Sequence, residues 1–407
     1  MKFLGLGNIA KVMFLLFFGL VSPVFAEDPV LVSPQKAGMS STKLEAVTDT
    51  VKKLIRKKHF VGTVVMISRN GETVYLDAQG MRDQKEKAKM KTDTIFRIYS
   101  MTKPVTSVAI LMLVERGKIN LDAPVEQYLP EFKKVKVYTD KGLVKQKRKM
   151  TVRDLLRHTA GLTYGFFSKT PVDDMYNKNH PLYSKTTAEF VQKASSMPLL
   201  YQPGTIWHYS IATDVLGALV ERVTGQTLGV FMQENIFTPL QMNDTGFYVP
   251  KDKHNRFASS YRYGGSLVES YKTSHFLDPN RMPSGGGGLV STASDYMKFC
   301  QMLLNKGKYQ SVRLLQEETV AQMRTDQLPD GVKAYGYFGF GLGVMVQLYD
   351  WGNKGRPEAY SWSGAASTNF WISPKDHLIV IALAQRQPFS NELKKAIQPL
   401  IYQAIKK

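Results

Sequence analysis

The sequence has a single cysteine, Cys300, among its 407 residues. An internal disulfide is therefore excluded, and the fold must be stabilised by its hydrophobic core. We interpret Cys300 as a buried apolar residue of a helix rather than a reactive thiol. Because 43% of the residues are hydrophobic, the chain can bury a large core, as one big domain or as two closely joined ones.

Apolar runs long enough to cross a membrane are also missing. The run Val12–Val21 has about ten residues, whereas a membrane-spanning helix needs about twenty. It follows two lysines and precedes the small-residue exit Val24-Phe25-Ala26, which is the pattern of a secretory signal peptide over residues 1–26. We therefore expect cleavage before Glu27 and a soluble mature protein that is periplasmic or secreted, with no integral membrane span.

Acidic residues are scarce relative to basic ones, 34 against 54, which gives a formal net charge of +20. Many lysines and arginines cluster in the stretches 52–58 and 133–149, which we interpret as solvated faces. We expect the exported chain to be weakly attracted to anionic envelope surfaces by a screened, non-specific force. Nucleic acid is not an expected partner, because no finger, helix-turn-helix or aromatic-plus-basic recognition motif is present.

Motifs of several enzyme classes are absent as well. The seven histidines form no His-x-His, His-Glu-x-x-His or Cys/His pattern, so we expect neither a metal nor another cofactor. No Gly-x-Ser-x-Gly sequence is present, which argues against an ordinary α/β-hydrolase. The run Gly285–Gly288 has no following Lys-Ser or Lys-Thr, so we expect it to allow close approach of backbone to a site rather than to bind phosphate.

Strand-like segments lie near both ends of the chain. Asn70-Gly71 separates two apolar runs and predicts a tight hairpin. The strand-like runs are 62–68, 72–78, 340–348, 368–372 and 378–384. Amphipathic helices are predicted after Ser40 and from Ser390, and the middle of the chain is mostly helical.

This distribution predicts an α/β (α+β) sandwich, in which an antiparallel sheet built from both termini is flanked by the terminal helices and carries an inserted, mostly helical domain. The expected sheet domain comprises residues 27–95 and 300–407, and the expected helical domain comprises residues 96–299.

The segment Ser100-Met101-Thr102-Lys103 directly precedes the apolar helix Val105–Val114. If the helix begins at Ser100, a three-residue step places the serine hydroxyl and the lysine amine on one face. Desolvation beside the positive helix N-terminus would lower the pKa of Lys103, so that its neutral amine could accept the serine proton. Alone, this motif also fits a capping serine with a solvated lysine, but Tyr209-Ser210 and Trp362-Ser363-Gly364 favour catalysis.

Six phrases in this order extend over nearly the whole expected mature chain. They are Phe96-Arg97-Ile98-Tyr99-Ser100-Met101-Thr102-Lys103, Leu155-Leu156-Arg157-His158-Thr159-Ala160-Gly161-Leu162, Tyr201-Gln202-Pro203-Gly204, Tyr209-Ser210, Gly288-Leu289-Val290-Ser291-Thr292 and Trp362-Ser363-Gly364. With them the chain resembles the β-lactamase and penicillin-binding-protein superfamily of serine hydrolases. Within it the chain resembles the class C-like β-lactamases and is closest to the family VIII carboxylesterases. The resemblance implies the same sandwich, with the site at the junction of sheet and helices.

The resemblance also implies roles for individual residues. Ser100 would be the nucleophile, Lys103 its proton acceptor, and Tyr209 a second general acid/base whose phenolate is favoured by the neighbouring ammonium. The implied oxyanion hole consists of the backbone N–H groups of Ser100 and Ala365. His158 is implied to be a structural loop residue.

Substrate binding is assigned to Trp362, Ser363 and Gly364 by the same resemblance. Two departures concern the substrate: Ile211 stands where β-lactamases have an amide-reading asparagine, and Trp362 stands where they have a lysine or histidine. Both changes resemble the esterase branch. Arg386 could restore a cation, or could be structural.

Three aromatic residues, Tyr164, Phe166 and Phe167, could line an apolar pocket together with Trp362, or could be ordinary packing. The sequence as a whole predicts an exported serine hydrolase that forms an acyl-enzyme on small or medium carboxylic esters. The alternatives are a class C-like β-lactamase or D-Ala-D-Ala carboxypeptidase acting on a lactam or peptide, and a non-catalytic envelope-binding module.

Overall fold

The computed structural model describes residues 29–406, so the signal peptide expected at 1–26 lies outside the described residues. The α-helices are α1 (Ser41–Arg56), α2 (Thr102–Glu115), α3 (Val152–Leu156), α4 (Pro171–Asn179), α5 (Thr187–Ser196), α6 (Ala212–Thr224), α7 (Leu228–Met232), α8 (Ala293–Leu304), α9 (Glu317–Arg324) and α10 (Glu392–Ala404). Within residues 29–406, none of the helices has the length and apolar character needed to cross a bilayer.

The strands fall into one large sheet and several two-stranded ribbons. The large sheet contains β1 (Gly62–Arg69), β2 (Glu72–Asp83), β3 (Ala88–Lys89), β12 (Gly339–Phe340), β13 (Met345–Val346), β14 (Tyr360–Gly364), β15 (Thr368–Ser373) and β16 (Leu378–Ala384). The ribbons contain β4 (Phe96–Arg97), β5 (Val137–Thr139), β6 (Gly142–Val144), β7 (Ser260–Tyr261), β8 (Leu267–Glu269), β9 (Val290–Ser291), β10 (Lys308–Tyr309) and β11 (Val312–Arg313).

The large sheet joins the two ends of the chain. Its strand order is β12-β13-β14-β15-β16-β1-β2-β3, and every neighbouring pair is antiparallel. β1 and β16 pair at its centre, from Thr63 opposite Ala384 to Arg69 opposite Leu378. The predicted antiparallel sheet built from both termini is therefore confirmed.

The hairpin between β1 and β2 has the predicted turn. Asn70 and Gly71 have φ of 55° and 84°, the left-handed conformations that a tight hairpin turn requires and that Asn-Gly adopts most readily. Local sequence therefore determines this turn, and the turn sets the register in which β2 pairs with β1.

Both faces of the sheet are covered, which explains why β16 and most of β1 are apolar on both faces. On one face, Val65 and Val380 belong to a core cluster shared with α1 and α10. On the other face, Val64 and Ile381 belong to a larger cluster that continues into the helical region. The sheet is thus the middle layer, with the terminal helices on one side and the inserted segment on the other.

Helix α2 lies in the interior of the larger cluster. Its residues from Thr102 to Leu113 are all buried, because a helix that is apolar on every side must be enclosed on every side. α6 packs against α2, and α8 packs against β1 and β16. α8 also spans residue 300, where the sequence places a domain boundary; the boundaries themselves stay a prediction.

Truncation of Ile381 tests the larger cluster. This side chain is fully buried and lies opposite Met66 and Phe370 in the neighbouring strands. We expect Ile381→Ala to lower the free energy of unfolding by about 2–5 kcal/mol, because the lost contacts leave a cavity. Chemical denaturation measures the change. The control Val230→Ala, at a side chain that is 45% exposed, should change it by less than about 0.5 kcal/mol.

Candidate active site

Ser100 lies in a single 3-10 turn, Tyr99–Met101, that leads into α2 at Thr102. The helix proper thus begins two residues later than the sequence analysis assumes, yet the three-residue step still brings the Ser100 hydroxyl within 3.3 Å of the Lys103 amine. Tyr99 has φ of 41°, a left-handed conformation that is costly for a residue with a side chain. The tight turn therefore fixes the direction of the serine.

The Lys103 amine is buried and held by three acceptors. It donates to the Gly286 carbonyl at 2.6 Å, to the Tyr164 hydroxyl at 2.9 Å and to Ser100 Oγ at 3.3 Å. Burial lowers the pKa of Lys103 to about 7, and the Asp214 carboxylate opposes part of that decrease. An amine with this pKa exchanges its proton readily near neutral pH.

The glycine run supplies one of these acceptors. A side chain on Gly286 would overlap the Asp214 carboxylate, and a Cβ on Gly285 would lie 2.7 Å from the Thr213 carbonyl oxygen. The Gly285 carbonyl accepts a hydrogen bond from Thr106 Oγ1 at 2.7 Å. The run thus passes between α2 and α6 because it has no side chains, which confirms the predicted close approach of backbone.

Asp214, in the first turn of α6, is a buried carboxylate that sequence reasoning missed. Its Oδ1 accepts hydrogen bonds from Ser284 Oγ at 2.5 Å and from the Gly286 N–H at 3.0 Å. Its Oδ2 has no hydrogen-bond partner in the described part of the chain, and burial raises the pKa of this carboxyl group. The sequence signal that could have identified Asp214 is an acidic residue five positions after Tyr209, at the start of an apolar helical segment that proves to be wholly buried.

Tyr209 lies above the amine, with its ring centre 4.5 Å from Lys103 Nζ. Its hydroxyl is buried and has no well-formed hydrogen bond to any described residue, and its polar neighbours are Ser100, Trp362 and Tyr164. Burial raises the pKa of Tyr209 further above its ordinary value. The direction of this shift favours the phenol. The phenolate expected beside a charged ammonium stays a prediction.

Aromatic rings surround this group. Tyr164 stacks on Phe166 at 5.3 Å between ring centres, and Tyr209 contacts Phe167 at 5.8 Å and Trp362 at 5.4 Å. Phe166 and Phe167 are exposed at the rim. The four aromatic residues proposed for a pocket are thus gathered at the site, and Tyr164 additionally bonds the amine.

The end of β14 is fixed against the turn that carries Ser100. A Cβ on Gly364 would overlap the carbonyl oxygen of Ile98, and Thr368 Oγ1 donates to that same oxygen at 3.3 Å. Ala365 is the next residue and is exposed in the turn after β14. This packing brings the two residues expected to form the oxyanion hole, Ser100 and Ala365, to the same corner.

Three other residues singled out in the sequence make contacts within the protein. The Ser363 hydroxyl donates to Asn369 Oδ1 at 2.7 Å, and Ile211 is fully buried in the core. Arg386 pairs with Glu392 and lies over the ring of Phe60, which supports the structural alternative. The substrate-binding role of Ser363 stays a prediction.

His158 is buried beneath Tyr209, with 4.8 Å between ring centres. Its Nδ1 lies 3.4 Å from Ser210 Oγ, and burial holds the pKa of the imidazole well below its ordinary value. A neutral, enclosed ring supports the structural role expected from the sequence. Among residues 29–406, no group of three or more His, Cys, Asp or Glu side chains could hold a metal ion.

Comparison with known proteins decides the family. The family model described as Beta-lactamase matches residues 47–402. The chain belongs to this family. Esterase EstB of Burkholderia gladioli is 31% identical over 92% of this chain and 98% of its own. An N-acetylmuramyl-L-alanine amidase of Bacillus subtilis is 28% identical over 88% of this chain and 85% of its own.

A solved structure shows the same architecture. EstCE1, described as a hydrolase with promiscuous acyltransferase activity, superposes with a TM-score of 0.77 and 28% identity, over 89% of this chain and 98% of its own. With the family match and the relative that is named as an esterase, this likeness makes the chain a serine hydrolase of the β-lactamase fold.

Substitution of Gly364 tests the packing at this corner. In Gly364→Ala, the added methyl group must push the end of β14 away from Ile98. We expect the rate of fluorophosphonate labelling at Ser100 to fall by about a hundredfold, because displacement of an oxyanion donor by about 1 Å has that effect. Labelling is followed by intact-protein mass spectrometry. Ala365→Gly keeps the N–H group and should label at the parental rate; equal loss in both variants would contradict the assignment.

Proposed function

We propose that this chain is an exported carboxylesterase that forms an acyl-enzyme on Ser100 with small or medium esters. The observation that carries the proposal is the convergence of the Ser100 hydroxyl, the Lys103 amine and the Tyr209 phenol at the first turn of α2. The signal-like segment at 1–26 supports export, and EstB, named as an esterase, supports the substrate class.

Acylation requires one proton to leave the serine and one to reach the alcohol. Ser100 Oγ attacks the ester carbonyl carbon while its proton passes to the neutral Lys103 amine at 3.3 Å. The N–H groups of Ser100 and Ala365 stabilise the negative oxygen. The Tyr209 phenol then donates its proton to the departing alkoxide and regains one from the Lys103 ammonium.

Deacylation uses the same groups. Water attacks the acyl carbon, and one of its protons passes to the neutral Lys103 amine. The bond between the acyl carbon and the Ser100 oxygen then breaks, and the Lys103 ammonium returns the proton to that oxygen. Burial raises the pKa of Tyr209 and so favours its protonated form. In acylation, this phenol can therefore act as the acid that protonates the departing alkoxide.

The walls of the site favour an ester over a β-lactam antibiotic. Trp362 is buried against Tyr209 and Phe340, so an indole occupies the place where a carboxylate-binding cation would be needed. Ile211 is enclosed in the core and offers no amide. Rings at the rim instead provide apolar surface for an acyl or alcohol group.

The same three groups could also open a lactam or a D-Ala-D-Ala peptide, and the Bacillus subtilis amidase relative keeps that alternative in view. Substrate comparison separates the two. We expect purified protein to hydrolyse p-nitrophenyl butyrate at least about a hundredfold faster, in kcat/KM, than nitrocefin, since discrimination of this size follows from a missing polar recognition group.

The control for this comparison is Ser100→Ala, which should abolish both ester hydrolysis and fluorophosphonate labelling. A folded parental protein that takes up no label would favour the non-catalytic envelope module. Efficient nitrocefin turnover without ester turnover would replace the esterase proposal by the lactamase one.

The pKa of Lys103 predicts the pH dependence. The neutral amine is the active form, so kcat/KM should rise as the pH passes through about 7, where burial places that pKa. Asp214→Asn removes the negative charge that favours the ammonium, so the pKa falls and the rise moves to lower pH. Ester hydrolysis between pH 5 and 9 measures both profiles.

Ser284→Ala is the matched control, because it removes a hydrogen bond to Asp214 but keeps the carboxylate. Its profile should stay close to the parental one. A shift of the Asp214→Asn profile to higher pH, or no shift, would show that the carboxylate does not act on the amine.

A further inference from the structure

The ribbon β5–β6 is held to the helical region mainly through β5, and the segment after β6 is held by Gln202, which accepts from the Lys147 N–H at 2.9 Å. The N–H group of Tyr138 donates to the Leu199 carbonyl at 2.9 Å, and the Leu199 N–H donates to the Lys136 carbonyl at 2.8 Å. Val137 is buried in the large core. β5 therefore fixes the ribbon to the body of the protein, and β6 forms its outer strand.

The outer strand exposes apolar side chains. All three residues of β6 are exposed, with Leu143 at 52% and Val144 at 39%. Among the described residues, β6 pairs with β5 alone. Consecutive side chains of a strand point to opposite faces, so Leu143 and Val144 place one exposed aliphatic group on each face of this outer strand. Exposed apolar groups that are surrounded by charge are an interaction feature.

Lysines both precede and follow this strand in the sequence. The segment 133–147 has one acid, Asp140, and it has exposed lysines at positions 133, 134, 136, 141, 145 and 147. None of these six amines forms an ion pair with a described residue. The nearest other acid along the chain, Glu131, is already paired with Arg222 at 2.7 Å.

We propose that this basic ribbon, residues 133–147, docks the protein on an anionic phospholipid surface. Lysines attract the negative head groups, and their flexible stems let Leu143 and Val144 enter the interfacial region. A soluble polyanion would use the charge but not the exposed aliphatic pair. The combination of basic charge with exposed aliphatic side chains therefore favours a lipid surface as the partner.

The C-terminal end of α1 is also basic, but it has no exposed apolar side chains. Lys53, Lys57 and Lys58 are exposed there, without ion pairs to described residues, and no large apolar side chain of α1 is exposed. Reversal of three lysines at this end of α1 therefore changes the net charge by the same amount as reversal of three lysines in the ribbon. If the proposal is right, only the change in the ribbon lowers the affinity for membranes strongly.

Vesicle cosedimentation tests this difference with the full chain. Vesicles of equal parts phosphatidylglycerol and phosphatidylcholine are compared with phosphatidylcholine alone. We expect binding to the anionic vesicles to fall by at least about tenfold in Lys141→Glu/Lys145→Glu/Lys147→Glu and by a few-fold in Leu143→Ser/Val144→Ser at unchanged charge. Lys53→Glu/Lys57→Glu/Lys58→Glu should change it by less than about twofold.

Fluorophosphonate labelling confirms that each ribbon and α1 variant is folded, and circular dichroism confirms it for every variant, including Ser100→Ala. Equal losses in the ribbon and α1 charge variants would overturn the proposal in favour of overall charge. Parental binding by Leu143→Ser/Val144→Ser would overturn it in favour of a soluble polyanion, and so would absence of binding to the anionic vesicles. Ser100→Ala should bind like the parent, so the outcome does not depend on the proposed catalysis.

Discussion

A buried amine is the constraint on which the site depends. Lys103 lies inside the largest core of the protein, where an ammonium is poorly solvated, so the structure must surround it with acceptors. The Gly286 carbonyl and the Tyr164 hydroxyl provide two of them, and Asp214 provides the compensating charge. Each acceptor comes from a different part of the chain, so the amine ties the helical segments to one another.

Features that follow from local pattern were predictable from the sequence. Asn70-Gly71 specified the turn between β1 and β2, because its two left-handed residues suit few other pairs. The apolar runs near the termini specified the strands, and the three-residue step specified the proximity of Ser100 and Lys103. The proximity of Tyr209 to these two residues was predicted only from the family resemblance, because no local sequence rule relates residues so far apart in the chain.

Features that depend on enclosure were not predictable in the same way. Asp214 has an ordinary sequence context, and its importance appears only when α6 packs beside α2 and Gly286. Whether Tyr209 is a phenol or a phenolate depends on the balance between its burial and a nearby amine, and burial is a property of the whole fold. Likewise, Arg386 could be assigned to a structural ion pair only once Glu392 was placed beside it.

The central strand pair has a consequence for how the protein is made. β1 lies near the start of the chain and its partner β16 near the end, so Thr63 can pair with Ala384 only after almost the whole chain has been synthesised. While the ribosome is still translating, β1 therefore presents an open hydrogen-bonding edge of valine and isoleucine, the kind of edge on which chains associate wrongly. Closure of the sheet is a late, long-range event, and a chaperone that covers the β1 edge before closure would prevent such association.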